Sequence, residues 1–130
     1  MKPRIIWNAK DSPTIASGYG IIGKHLLPRL AAHYGADSII LFAPVHYRDG
    51  VTKEWQGMKV VSGFKGDYHD EMMLEVYSRE KATMLIMVGD WFHLRTLPDH
   101  ARDNPDFLWI QWAPFDMLRV PPEVTQLLKF

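Results

Sequence analysis

Short apolar runs alternate with longer amphipathic stretches along the 130 residues, and their spacing predicts the elements. Arg4-Ile5-Ile6-Trp7 is apolar on consecutive positions and stops in Asn8-Ala9-Lys10-Asp11-Ser12-Pro13, the pattern of a buried strand entering a loop. From Gly20 to Tyr34, Ile22, Leu26, Leu30 and Ala31 recur at helical spacing, Ile21, Leu27 and Tyr34 widen the stripe, and Gly35 stands at the capping position. Pro28 lies inside that stretch, where it removes a backbone hydrogen bond and predicts a kink. Ser38-Ile39-Ile40-Leu41-Phe42 reads as a second buried strand. Val51 to Trp55 and Met58 to Val61 flank Gln56-Gly57 as a hairpin or tightly turned strand pair would. Asp70 to Glu80 places Met73, Val76 and Tyr77 on one helical face, with Asp70 and Glu71 where the helix dipole favours acids. Thr83 to Val88 is apolar on both alternating faces, as a central parallel strand must be, and runs into Gly89-Asp90. A short helix over Phe92 to Arg102, a strand over Phe107 to Trp112 and a helix opened by Pro121-Pro122-Glu123 complete the pattern. Strand–helix–strand repetition predicts an α/β sandwich with a mostly parallel sheet.

Composition narrows the class. The length argues for one domain, residues 1–130, able to bury a single core without covalent staples. Apolar residues make up 47% and charged residues 23%, so the chain is neither disordered nor a coiled coil. Fifteen basic residues balance fifteen acidic ones, which leaves no basic field for nucleic acid or anionic lipid. Without cysteine there is no disulfide, thiol nucleophile or thiolate metal site. Met1 to Trp7 is too short for a signal peptide and no apolar run is long enough to span a bilayer, so a soluble cytoplasmic chain is expected. The last predicted helix has only begun to bury Val124, Leu127 and Leu128 at Phe130. Either it docks back, or the domain is one part of something larger.

The chemistry concentrates after predicted strands. Ser17-Gly18-Tyr19-Gly20-Ile21-Ile22-Gly23-Lys24-His25 contains G-x-G-x-x-G and, in another frame, G-x-x-x-x-G-K. Glycines let a backbone approach an anion, and a helix N-terminus offers free N–H groups to it. A dinucleotide fingerprint places its first glycine directly after the strand and an acid at the end of the second strand, where this chain has Phe42-Ala43-Pro44. A P-loop carries Ser or Thr after its lysine, where this chain has His25. Glycines that only bring the helix close to the sheet explain the same residues. Asp90 and Asp116 each follow a predicted parallel strand at its carboxyl end, the edge at which open α/β sheets bind ligands, although either is also a plausible helix cap. His46 falls in a loop on that edge, and Trp91, beside Asp90, is placed to stack on a sugar ring. Trp109 and Trp112, lacking a basic groove, are expected in the core. No histidine pair has i, i+4 metal spacing, so no metal is expected, and no G-x-S-x-G elbow marks a serine hydrolase.

These residues, in order, resemble the N-terminal half of GT-B glycosyltransferases of the family-four-like retaining group. Ile5-Ile6-Trp7-Asn8 followed by Pro13 and Ser17-Gly18-Tyr19-Gly20 is similar to that family's strand and P-x-x-x-[ST]-G-Y-G turn. Leu26-Leu27-Pro28-Arg29-Leu30 resembles its L-x-P-R-L helix, Glu54 to Val60 its W-x-G-[IV]-x-V hairpin, and Gly89-Asp90-Trp91-Phe92 its post-strand segment. Trp112-Ala113-Pro114-Phe115-Asp116 with Pro121-Pro122 resembles W-x-P-x-D-x(4)-P-P.

The resemblance implies a Rossmann-like three-layer sandwich, half of a GT-B fold, that binds the acceptor of a hexosyl transfer. It implies Ser17, Gly18, Tyr19 and Gly20 as the loop facing the donor phosphates, Asp90 and Asp116 as catalytic carboxylates, and His46 and Trp91 in the acceptor cleft. A nucleotide sugar is the implied co-substrate, with no further cofactor and no metal. A C-terminal donor-binding half, in cis or in trans, is the implied partner, and 1–130 alone is expected to be inactive, since half a cleft does not exclude water. Two other classes stand beside this reading: a non-catalytic sugar- or nucleotide-binding or docking module, and a degenerate P-loop nucleotide hydrolase using Lys24.

Overall fold

The computed structural model describes residues 2–9, 11–42, 53–61, 70–90, 94–112 and 122. Strands β1 (Ile5–Ala9), β2 (Ile39–Phe42), β3 (Glu54–Trp55), β4 (Met58–Val61), β5 (Met84–Val88) and β6 (Leu108–Trp112) form one sheet in the order β3-β4-β2-β1-β5-β6. Helices α1 (Gly18–Tyr34), α2 (Asp70–Arg79) and α3 (Leu97–Asp103) lie between them in the chain. Every described pairing is parallel except β3–β4, whose antiparallel turn puts Gln56 at φ 49° and Gly57 at φ 78°. Two successive positive φ values are what a two-residue hairpin requires, and they explain Gln-Gly there.

Alternation along the strands builds two cores. Ile5, Trp7, Ile39, Leu41, Met58, Val60, Ile86 and Val88 face α1, whose Leu27 is fully buried among them. Ile6, Ile40, Phe42, Val61, Leu85 and Met87 face the other way, against Met73 and Val76 of α2 and Leu97 of α3. The result is a Rossmann-like α/β sandwich of three layers, with helices on both faces of a mostly parallel sheet. No helix among the described residues is long and apolar enough to cross a membrane.

Several expectations are corrected. Helix α1 begins at Gly18 rather than Gly20, because Ser17 caps it; as expected, it runs through Pro28 and ends at Gly35, which has φ 93° and whose amide donates to the Ala31 carbonyl. Helix α3 begins at Leu97, since Pro98 is tolerated only in a first turn. The last predicted helix lies outside the described residues except for Pro122.

Trp112 is not in the core: it is 48% exposed, and Leu108 and Ile110 on the same face are exposed too. β6 is the outermost strand of the described sheet, and α1, packed over β1 and β2, does not cover that face of it. Ile21, expected in the apolar stripe of α1, is exposed for the same reason. Trp109 points to the opposite face and packs against the second core cluster.

Candidate functional site

β1 sits at the centre of the sheet. From it the chain crosses to β2 on one side, and later from β5 to β6 on the other. The carboxyl ends of β1 and β5 therefore flank the point where strand order reverses, the usual ligand crevice of such sheets. Residues 11–17 lead into α1 after the carboxyl end of β1, and Gly89-Asp90 follow the carboxyl end of β5.

The turn into α1 is built by its own polar atoms. Ser12 accepts from the Ile15 amide at 3.0 Å, and Ile15 accepts from the Ser17 amide at 2.9 Å. The Ser12 Oγ lies 2.8 Å from Thr14 Oγ1 and accepts from the Thr14 amide at 3.2 Å. Ser17, extended at φ −124°, accepts the Gly20 amide on its Oγ at 3.1 Å and the Ile21 amide on its carbonyl at 2.8 Å. An N-cap of this kind satisfies amides that a helix otherwise leaves unpaired.

The glycines of this turn differ. A Cβ on Gly20 would lie 2.0 Å from the Ile15 carbonyl oxygen and 2.8 Å from that of Ser12, so the fold of the loop requires glycine there. A Cβ on Gly18 would meet nothing within 4 Å, which makes Gly18 the open position at the helix start. Gly23 and Lys24 lie in the second turn, with Lys24 exposed. In a P-loop the residues between the two glycines arch around phosphate; here they are helical, so the second frame of the motif has no cradle.

Across the crevice, the Tyr19 hydroxyl donates to Asp90 Oδ1 at 2.7 Å. Asp90 is half-buried, and its approach is set by β6: the Gly89 amide donates to the Trp112 carbonyl at 3.1 Å, and the Gly89 carbonyl accepts from Gln111 Nε2 at 3.0 Å. Gln111 Oε1 is buried with no hydrogen-bond partner among the described residues. Ser17, Gly18, Tyr19, Gly20 and Asp90 are thus brought to one edge, while His46, Trp91 and Asp116 lie outside the described residues. Gln111 was missed by sequence reasoning; its signal was a lone amide in an otherwise apolar strand.

A groove of about 420 Å³ lies nearby on the α1 face, lined by Ile21, Ile22, His25, Leu26, Arg29 and Trp112. Its lining is mostly apolar, with His25 and Arg29 as its polar side chains and no carboxylate. Among the described residues no group of three or more His, Asp or Glu is arranged to hold a metal ion.

A second carboxylate lies at the opposite edge of the sheet. Glu80, just after α2, is 8% exposed at its side chain and has Lys59 Nζ at 2.8 Å and Arg4 Nη2 at 3.1 Å. Burial alone would push its carboxyl up, but hydrogen bonds from Lys59 and Arg4 and the charges of both outweigh burial and hold it below the ordinary carboxylate range. No family model, curated protein or solved structure matches the chain.

Proposed function

We propose that the chain is the acceptor-side half of a glycosyltransferase, moving a sugar from a nucleotide-sugar donor to an acceptor and inactive without a donor-binding half. The observation that carries the reading is the meeting of a carboxylate, Asp90, with the capped glycine turn of α1 at the reversal point of the sheet. The two halves of that arrangement suit two parts of one ligand pair. A carboxylate at this edge accepts from an acceptor hydroxyl, while the start of α1, positive by its dipole and open at Gly18, tolerates the close approach of a donor phosphate. The parts of Asp116, His46 and Trp91 rest on the sequence and the resemblance.

A non-catalytic binding module would use the same residues without turnover, and the exposed apolar face of β6 favours keeping it as the second reading, because such a face is what a docked element covers. Nucleotide hydrolysis through Lys24 is disfavoured by the helical course of residues 18–24.

The test is an amide-shift titration of ¹⁵N-labelled protein with methyl glycosides of common hexoses, then with nucleotide sugars and ATP. The proposal expects saturable shifts at Gly89 and Asp90 with at least one glycoside, lost in Asp90→Asn and kept in Lys24→Ala. ATP binding abolished by Lys24→Ala would favour the hydrolase instead. Sugar transfer by residues 1–130 alone would contradict the inactivity of the half.

A further inference from the structure

Asp90 reaches its ligand edge from a short, two-torsion side chain, and a carboxylate free to rotate spreads its acceptors over many directions. One neighbour removes that freedom. The Tyr19 hydroxyl donates to Oδ1 at 2.7 Å, a charge-assisted hydrogen bond between residues 71 positions apart in the chain. Among the described residues Asp90 makes no other hydrogen bond or ion pair, so Oδ2 keeps its acceptor capacity.

Both ends of this bond are anchored independently. Tyr19 lies in the first turn of α1, which is held by the Ser17 cap and by the fit of Gly20 against the Ile15 and Ser12 carbonyls; its ring is partly buried against the core cluster on the α1 face. Asp90 follows Gly89, whose amide and carbonyl are both committed to β6, to Trp112 and Gln111 respectively. The bond therefore ties three elements together at one side-chain oxygen. A fold that needed only a tie between α1 and β5 could use apolar contact; a neutral donor aimed at one oxygen of a carboxylate fixes where the other oxygen points.

We infer that Tyr19 is a positioning residue for Asp90: it holds the carboxylate by Oδ1 so that Oδ2 faces the crevice and accepts from a ligand hydroxyl. The inference rests on the reading of Asp90 as the hydroxyl-binding group, and it assigns the recognised part of the ligand to a hydrogen-bond donor such as a pyranoside hydroxyl, since a carboxylate oxygen accepts and does not donate.

Tyr19→Phe removes the hydroxyl and keeps the ring. With the methyl glycoside that binds the unaltered protein best, its affinity is expected to fall about tenfold, the scale of one charged hydrogen bond. Asp90→Asn is expected to abolish binding, a larger loss than Tyr19→Phe because Tyr19 acts only through the Asp90 carboxylate. The ¹³C resonance of the Asp90 carboxyl should move in Tyr19→Phe while the amides of α1 beyond its first turn stay in place, and the loss of glycoside affinity at unchanged melting temperature is the signature that a merely structural role would not produce. Wild-type affinity in Tyr19→Phe together with lost binding in Asp90→Asn would overturn the inference and leave the acceptor reading standing. A Tyr19→Phe protein that fails to fold, or melts lower by more than about 5 °C, would make the hydroxyl a structural tie and overturn it as well. No glycoside bound by the unaltered protein would remove the acceptor reading, and the inference with it.

Discussion

At the amino edge of the sheet, Glu80 is almost fully buried and has three cations within 4 Å, from Lys59, Arg4 and Arg79. At the carboxyl edge, Asp90 is half-buried and has one neutral donor, Tyr19. The two carboxylates are each held by residues far away in the chain, yet they are held in different ways. Burying a carboxylate demands compensation of nearly all its acceptor capacity by charge, and Glu80 has that. A carboxylate with one neutral donor and partial exposure keeps acceptors to spare, which is useless for stability and necessary for recognition. Compensation, more than the mere presence of an acid, is what differs between the two, and its lack at Asp90 suits the binding part proposed for that residue.

The largest expected effect tests the amino edge. Glu80→Ala should cost about 3 kcal/mol in urea unfolding, near the lower end for breaking a buried ion pair because Arg4 and Lys59 are themselves about half exposed. Asp90→Ala should cost less than about 1 kcal/mol in the same measurement. Equal costs would erase the contrast between the edges.

Next comes Gly20→Ala, expected to cost about 2 kcal/mol because a methyl group would press on two backbone oxygens that cannot move aside without opening the loop. Gly18→Ala, one position from the helix cap and in open space, should leave the melting temperature within about 2 °C.

The pH dependence sharpens the same contrast. The Glu80 carboxyl is lower in the folded chain than in the unfolded one, so its contribution is fully present above the ordinary carboxylate range and is lost as pH falls through the folded value. Thermal stability should therefore drop below about pH 4, and Glu80→Gln should flatten that drop.

The smallest effect on stability belongs to Ile110→Lys on the outer strand. It should leave unfolding nearly unchanged while reducing concentration-dependent association in sedimentation runs, because a lysine is what protects an exposed edge from pairing.

What was legible in the sequence follows the range of the interactions. Strand β5, apolar on both alternating faces, announced its central place, and Gly35 announced the end of α1, because period and cap are local signals. The placement of Asp90 at the carboxyl edge of the sheet followed from its position after a parallel strand. Its partner did not: Tyr19 is 71 residues away, and no pattern connects the two. The same holds for Glu80, whose partners Lys59 and Arg4 are 21 and 76 residues distant. Ser17 stands in a glycine motif that also suits a phosphate loop, and the motif does not by itself distinguish that use from the cap that Ser17 forms. Trp112 and Ile21 were misplaced because burial on a sheet depends on which strand lies outermost, and strand order is not written in periodicity.

The central place of β1 has a consequence for how the chain is made. Arg4, just before it, bonds through its amide to Thr83, 79 residues later, and one whole flank of β1 is completed only by β5. At ordinary translation speeds of about 5–20 residues per second, β1 emerges about 4–16 s before that neighbour exists. During that interval β2 and α1 can cover part of it, but Ile6, Leu85 and Met87 have not yet met, and the growing chain offers an open apolar strand edge to whatever is nearby. Of the described strands, the earliest in the chain is therefore among the last to be closed, and it is the segment that a chaperone shielding extended apolar stretches would meet.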